Sequence, residues 1–142
     1  MREALEEARK AADKGEVPVG ALVVRDGEVV ARAHNLREEM ADPTAHAEML
    51  ALREAARRVG SWRLDGTTVY CTLEPCAMCA GALVNARVEK LVFALTDDKS
   101  GACGTVVNLL DQPAFNHRVE VESGLLAEES LAILRAFFEA RR

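Results

Sequence analysis

Two short segments of this chain carry residue types that do chemistry: His46-Ala47-Glu48 and Pro75-Cys76-Ala77-Met78-Cys79. His46, Cys76 and Cys79 offer one imidazole and two thiolates, a donor set suited to Zn²⁺. A structural zinc normally takes four protein ligands. Three ligands with a carboxylate nearby describe instead an open site that holds a water, with Glu48 as the base that moves its proton. Cys76 and Cys79 are three apart, so on a helix their sulfurs share one face. A helix N-terminus beside them favours thiolate over thiol. Two thiolates and a neutral His leave the ion roughly neutral, and so still able to acidify a water. A lone C-x-x-C also fits a redox pair or half of a structural zinc site. A purely structural site gives no reason for Glu48.

The elements that must position these residues follow from periodicity and punctuation. Leu5, Ala8, Ala11 and Ala12 recur at helical spacing over residues 2–14, and Gly15 closes that segment. Val19–Arg25 and Glu28–Ala33 flank Asp26-Gly27, a strong hairpin signal because both turn positions need positive φ. Asp42-Pro43-Thr44 is a turn that enters a helix over about 45–59, marked by Met49, Leu52, Ala56 and Val59 and ended by Gly60. If that helix starts near His46, the His46 and Glu48 side chains can both bend into one pocket. On a regular helix they would diverge by about 200°. Thr67–Leu73 reads as a buried strand. Pro75 suits the first turn of a small-residue helix that runs to about residue 86. Val88–Leu95 is a further strand, 97–104 a Gly-rich loop, Val106–Leu110 a short helix and Arg118–Glu122 a strand. Leu131, Leu134 and Phe138 put one apolar face on a last helix. Strands alternating with helices imply a sheet with helices on its faces.

Composition narrows the class. The 142 residues form a single domain, 1–142, large enough for a real core. The start of the chain is amphipathic, with no signal-peptide core, and no apolar run is long enough to span a bilayer. The expectation is a soluble, cytoplasmic protein with reduced cysteines and no membrane partner. Cys71 then reads as a small buried hydrophobe. Cys103 sits in the Gly-rich loop without an evident role. His34 and His117 are candidate extra ligands, with hydrogen bonding or substrate contact as their plainer roles. The net charge of −5 argues against a broad electrostatic grip on nucleic acid but leaves room for a local basic patch. Arg53, Arg57 and Arg58 on one helix, and Arg135, Arg141 and Arg142 on the last, read individually as solvated faces.

The residues match more than a metal motif. Gly15-Glu16-Val17-Pro18-Val19-Gly20-Ala21, Asn35, Asp42-Pro43-Thr44-Ala45-His46-Ala47-Glu48 and the stretch Thr72–Ala82 resemble the bacterial tRNA-specific adenosine deaminases. So do Gly101-Ala102-Cys103-Gly104, Phe115-Asn116-His117 and Phe137–Arg142, and the resemblance runs nearly end to end. H-x-E followed by P-C-x-x-C is shared across zinc-dependent nucleobase deaminases, whereas the downstream pieces favour the tRNA enzymes. The resemblance implies an α/β fold, three-layer α/β/α and cytidine-deaminase-like, with a central mixed sheet of about five strands. It implies a homodimer and conversion of adenosine to inosine at wobble position 34 of a tRNA, usually the arginine tRNA with anticodon ACG. Carried over, His46, Cys76 and Cys79 hold zinc and Glu48 shuttles protons. Asn35 and the Ala47 N–H read the purine edge, and Asp97, Lys99, His117 and Phe138 line the groove for the anticodon stem-loop.

Two rivals stand beside this reading. A deaminase of a free base or nucleotide, such as guanine or cytosine, would use the same chemistry in a closed pocket, and the acidic net charge favours it. A zinc-stabilised RNA-binding scaffold would have no use for Glu48. An aromatic content of 4% suits a splayed base in a pocket better than an open stacking platform.

Overall fold

The computed structural model describes residues 1–142. Its elements are α1 (Arg2–Asp13), β1 (Gly20–Arg25), β2 (Glu28–His34), α2 (Ala47–Val59), β3 (Thr67–Leu73), α3 (Ala77–Asn85), β4 (Lys90–Leu95), β5 (Glu120–Ser123) and α4 (Ala127–Glu139). The strands form one sheet in the order β2-β1-β3-β4-β5. β1 is antiparallel to β2 and β3, while β3, β4 and β5 run parallel. Helices α1 and α4 touch each other and the sheet on one face, and α2, which touches α3, packs on the other. The architecture is therefore a three-layer α/β/α sandwich around a mixed five-stranded sheet.

Local sequence explains most of these elements. Asp26 and Gly27 take φ of 51° and 77°, the two left-handed positions that a tight two-residue hairpin requires. Arg25 and Glu28 close the turn as paired residues. Strands covered on both faces read as near-continuous apolar runs, as in the buried Ala21-Leu22-Val23 and Leu91-Val92-Phe93-Ala94. Gly20 sits where α1 crosses the sheet. A Cβ there would lie 2.0 Å from the Ala4 carbonyl oxygen, so only glycine allows this approach. The edge strand β5 is exposed along its whole length. Glu120 and Glu122 on that edge discourage pairing with another chain.

Three expectations need correction. Val106–Leu110 is not a helix. Cys103 and Asn108 form an isolated bridge, and the Gly104 and Leu109 amides donate to Val107 and Ala102 carbonyls, which uses the local backbone groups in turns. Pro75 lies outside α3, because the helix starts at Ala77 with Cys76 as its N-cap. The inward face of α4 is Ser130, Leu134 and Phe137, and Phe138 points outward at 48% exposure. The face is turned because Ser130 is buried, its hydroxyl donating to the Thr72 carbonyl at 2.6 Å.

Candidate active site

The C-terminal ends of β2, β3 and β4 and the N-terminal end of β1 share one edge of the sandwich, and α2 and α3 begin there. His46 is the N-cap of α2 and Cys76 the N-cap of α3, both with extended backbone. Such positions favour a Ser, Thr, Asp or Asn whose side chain bonds back to its own helix. Neither His46 nor Cys76 makes such a bond. Their side chains meet each other instead. His46 Nδ1 lies 3.7 Å from Cys76 Sγ and 3.6 Å from Cys79 Sγ, and the three donor atoms lie within 4.8 Å of one another. As an N-cap, His46 stands outside the helical rotation. This is why it and Glu48, two residues on, line the same cleft.

An Asx turn holds this helix start in place. The Asp42 carboxylate accepts from the Thr44 N–H and hydroxyl, at 2.8 Å and 2.7 Å. The Ala45 amide donates to the Asp42 carbonyl. Ala47 is the first residue of α2, so its N–H has no acceptor within the helix, and the residue lines the cleft.

Hydrogen bonds from Cys79 and His46 pull the Cys76 thiol down to about 3. The Cys79 thiol is pushed up, first by Cys76 and then by burial. His46 is raised, chiefly by its bond to Cys76. The three groups share protons that a divalent cation would displace. Burial is the main force raising the Glu48 carboxyl, which is 4% exposed.

The cleft has a volume of about 140 Å³. Sites that enclose drug-sized ligands reach roughly 300–1,000 Å³, so this one has room for a single base. Besides His46, Cys76 and Glu48, its wall includes Asn35, Ala47 and Asp97, while Cys79 is fully buried behind His46 and Cys76. Asn35 is buried. Its amide nitrogen donates to the Val17 carbonyl and its oxygen accepts from the Arg37 N–H, which leaves one amide hydrogen for a ligand. Lys99, His117 and Phe138 are not in this wall. Lys99 is exposed on the loop after β4, and Phe138 is exposed on α4. His117 donates from Nε2 to the Val88 carbonyl, just before β4 and at the far end of the sheet. His34 pairs with Glu7 beneath α1, away from the three donors. Cys71 is fully buried in β3.

Residue-type reasoning gave no role to Arg37, Glu16 or Glu74. Arg37 lines the cleft. Glu16, 1% exposed, accepts from the Glu38 and Glu39 amides, and Glu74, 2% exposed, accepts from the loop after β4. The available signal was an acidic residue embedded among apolar ones, as in Thr72-Leu73-Glu74-Pro75. Such a carboxylate is buried and must find donors.

A mixed sheet with a His/Cys/Cys donor set at two helix starts, and a buried Glu beside it, defines the cytidine-deaminase-like class. Comparison with known proteins narrows this. The MafB19-like deaminase family matches residues 1–142, and the chain belongs to that deaminase family. A tRNA-specific adenosine deaminase of Bacillus subtilis is 56% identical over 142 residues, covering 100% of this chain and 88% of that protein. One of Aquifex aeolicus is 51% identical over the same 142 residues, 93% of its length. A structure solved in a study of A-to-I editing by tRNA:A34 deaminases superposes with a TM-score of 0.91 at 46% identity, over 94% of this chain and 97% of that one. A guanine deaminase from Nitrosomonas europaea is more distant, with a TM-score of 0.78 at 26% identity over 96% and 81% of the two chains.

Proposed function

We propose that this chain is a zinc-dependent deaminase that converts adenosine to inosine at wobble position 34 of tRNA, with the ACG-anticodon arginine tRNA as its main substrate. The carrying observation is that His46, Cys76, Glu48 and Asn35 line one base-sized cleft, with the buried Cys79 completing the donor set beside His46 and Cys76. The likeness to tRNA-specific adenosine deaminases over the whole chain supports the choice of substrate.

The donor geometry fits the metal. Zn–S bonds of about 2.3 Å and Zn–N bonds of about 2.0–2.1 Å at a tetrahedral angle separate N and S by about 3.6 Å. The His46–Cys separations are 3.7 Å and 3.6 Å. His46, Cys76 and Cys79 would hold the ion. Once bound, zinc supplies a Lewis acid that brings the pKa of a water toward neutrality.

The remaining work falls to the chain. Glu48, whose proton affinity is raised by burial, takes the proton of the attacking water. It passes that proton to N1 of the adenine, then takes the second from the new hydroxyl on C6 and gives it to the departing amino group. C6 thereby exchanges nitrogen for oxygen, and ammonia leaves. The free amide hydrogen of Asn35 and the Ala47 N–H are placed to fix the purine edge. Asp97, Lys99, His117 and Phe138 are the proposed contacts to the surrounding anticodon stem-loop. His117 and Phe138 lie outside the cleft, so they serve only a substrate larger than one nucleotide. We further propose that residues 1–142 act as one catalytic domain in a cytoplasmic homodimer. No helix is long and apolar enough to cross a membrane.

The test is incubation of the purified chain with ACG-anticodon arginine tRNA, followed by reverse transcription. The expected result is A read as G at position 34. Free guanine and cytidine are run beside it at equal concentration. Faster turnover of either would assign the chain to the free-base deaminases. Metal analysis with X-ray absorption should find one zinc per chain with two sulfurs and one nitrogen.

A further inference from the structure

Glu74 carries a pattern of contacts that the chemistry above does not use. It follows the last residue of β3, two positions before Cys76, and its side chain is 2% exposed. No Lys, Arg or His pairs with it. All of its side-chain partners come from one segment, the loop after β4. Oε1 accepts from the Asp97 N–H at 3.1 Å and from the Thr105 hydroxyl. Oε2 accepts from the Cys103 N–H at 3.0 Å and the Thr105 N–H at 3.2 Å.

The loop is also moulded to the carboxylate. A Cβ on Gly101 would lie 2.5 Å from Glu74 Cδ and 2.6 Å from the Asp97 carbonyl oxygen. The Ala102 amide donates to the Pro75 carbonyl, and the Glu74 amide to the Leu95 carbonyl. Residues 97–105 are therefore fastened to the segment that leads into Cys76. The fastening continues inside the loop, where the Asp97 carboxylate accepts from the Lys99 and Ser100 amides and the Ser100 hydroxyl. Asp97 and Ser100 form part of the cleft wall.

A buried carboxylate must be paired with a cation or hydrogen-bonded by other donors. This one replaces a cation with three backbone N–H groups and a hydroxyl, all drawn from a loop that has no regular structure to hold it. We propose that Glu74 is a positioning residue. It locks the 97–105 loop into the conformation that forms the substrate-facing wall, and so sets the affinity for a base presented within an RNA loop. This rests on the RNA reading above for its substrate, but the locking itself does not.

Two variants test the inference on zinc-loaded protein. Glu74→Gln keeps the shape but turns one acceptor into a donor that faces a backbone N–H. Thr105→Val removes one hydroxyl bond and leaves Glu74 in place. Hydrogen exchange on the free enzyme should show the amides of Asp97, Cys103 and Thr105 exchanging at least about 10-fold faster in Glu74→Gln. Amides of β1–β3 should be unchanged and the metal content full. With the stem-loop, KM should rise about 10-fold or more while kcat falls by less than about 3-fold, because the loop binds substrate and moves no proton. Thr105→Val should move the same quantities in the same direction by less. Unchanged exchange in the loop, or a fall in kcat at constant KM, overturns the proposal. Should the wild-type enzyme leave the stem-loop untouched, the RNA reading fails, and the exchange data alone decide the role of Glu74.

Discussion

In its proposed role as base, Glu48 faces two opposed demands. Burial resists its ionised form, yet a base must be able to ionise. A neutral isostere should therefore hold the fold at least as well. We expect Glu48→Gln to keep a full complement of metal and an equal or higher melting temperature while turnover falls by roughly 10²–10⁴-fold. Metal analysis, thermal unfolding and single-turnover rates on one preparation check this. Loss of the metal in that variant would make Glu48 a ligand rather than a base. The two motifs were legible in the sequence because each is short-range, three residues within Cys76–Cys79 and two between His46 and Glu48, although folding alone brings the two motifs together. The roles of Glu16 and Glu74 were not legible. Their donors lie 22 and 23 residues away for Glu16 and up to 31 for Glu74, and only folding brings them together.

At the scale of elements, α1 is fixed to the sheet by two kinds of contact. Gly20 admits the helix backbone, and Glu7 accepts from His34 of β2 at 2.9 Å and from Lys10 at 2.6 Å. Gly20→Ala forces a methyl group against the Ala4 carbonyl and Ala8 nitrogen. It should destabilise the fold by about 1–3 kcal/mol or more, read by urea unfolding. Burial pushes the Glu7 carboxyl up, but the bonds from His34 and Lys10 outweigh it, and the net shift is downward. The contribution of ionised Glu7 is complete above the unfolded-state value of about 4.3 and is lost as pH falls through the lower folded value. The stability gap between wild type and Glu7→Gln should be present at about pH 5 and should close below about 4. A gap that widens in acid would contradict this. The hairpin and β3 were legible because Asp26-Gly27 and Thr67–Leu73 state their conformations locally. The face of α4 was not, since a serine at 130 is buried only because a carbonyl of β3 waits for it. The 106–110 segment failed for a similar reason, as the Val106, Val107 and Leu109 amides donate to the Gly101 and Ala102 carbonyls.

At the scale of the whole molecule, the net charge of −5 limits how RNA can be held. Binding of the stem-loop should weaken with salt less steeply than for a protein that neutralises about 6–10 phosphates. Filter binding across a salt series measures the slope. The proposed dimer has a natural test at Gly81 of α3, where an added Cβ would meet nothing within 4 Å in one chain. Gly81→Leu should leave the isolated fold intact yet weaken association, if a partner covers that helix. Sedimentation of both forms decides it, and a wild-type species of 15.4 kDa at micromolar concentration would remove the dimer. The meeting of His46 with Cys76 and Cys79 has one more effect. The donors are 30 and 33 residues apart in the chain. An ion bound there ties a loop of that length shut, as a disulfide would, and by chain entropy such a closure is worth about 3–4 kcal/mol. Unlike a disulfide, it opens under a chelator and closes again without an oxidant. It is a reversible staple suited to a reducing compartment, and it makes the apo-protein the form most exposed to proteolysis.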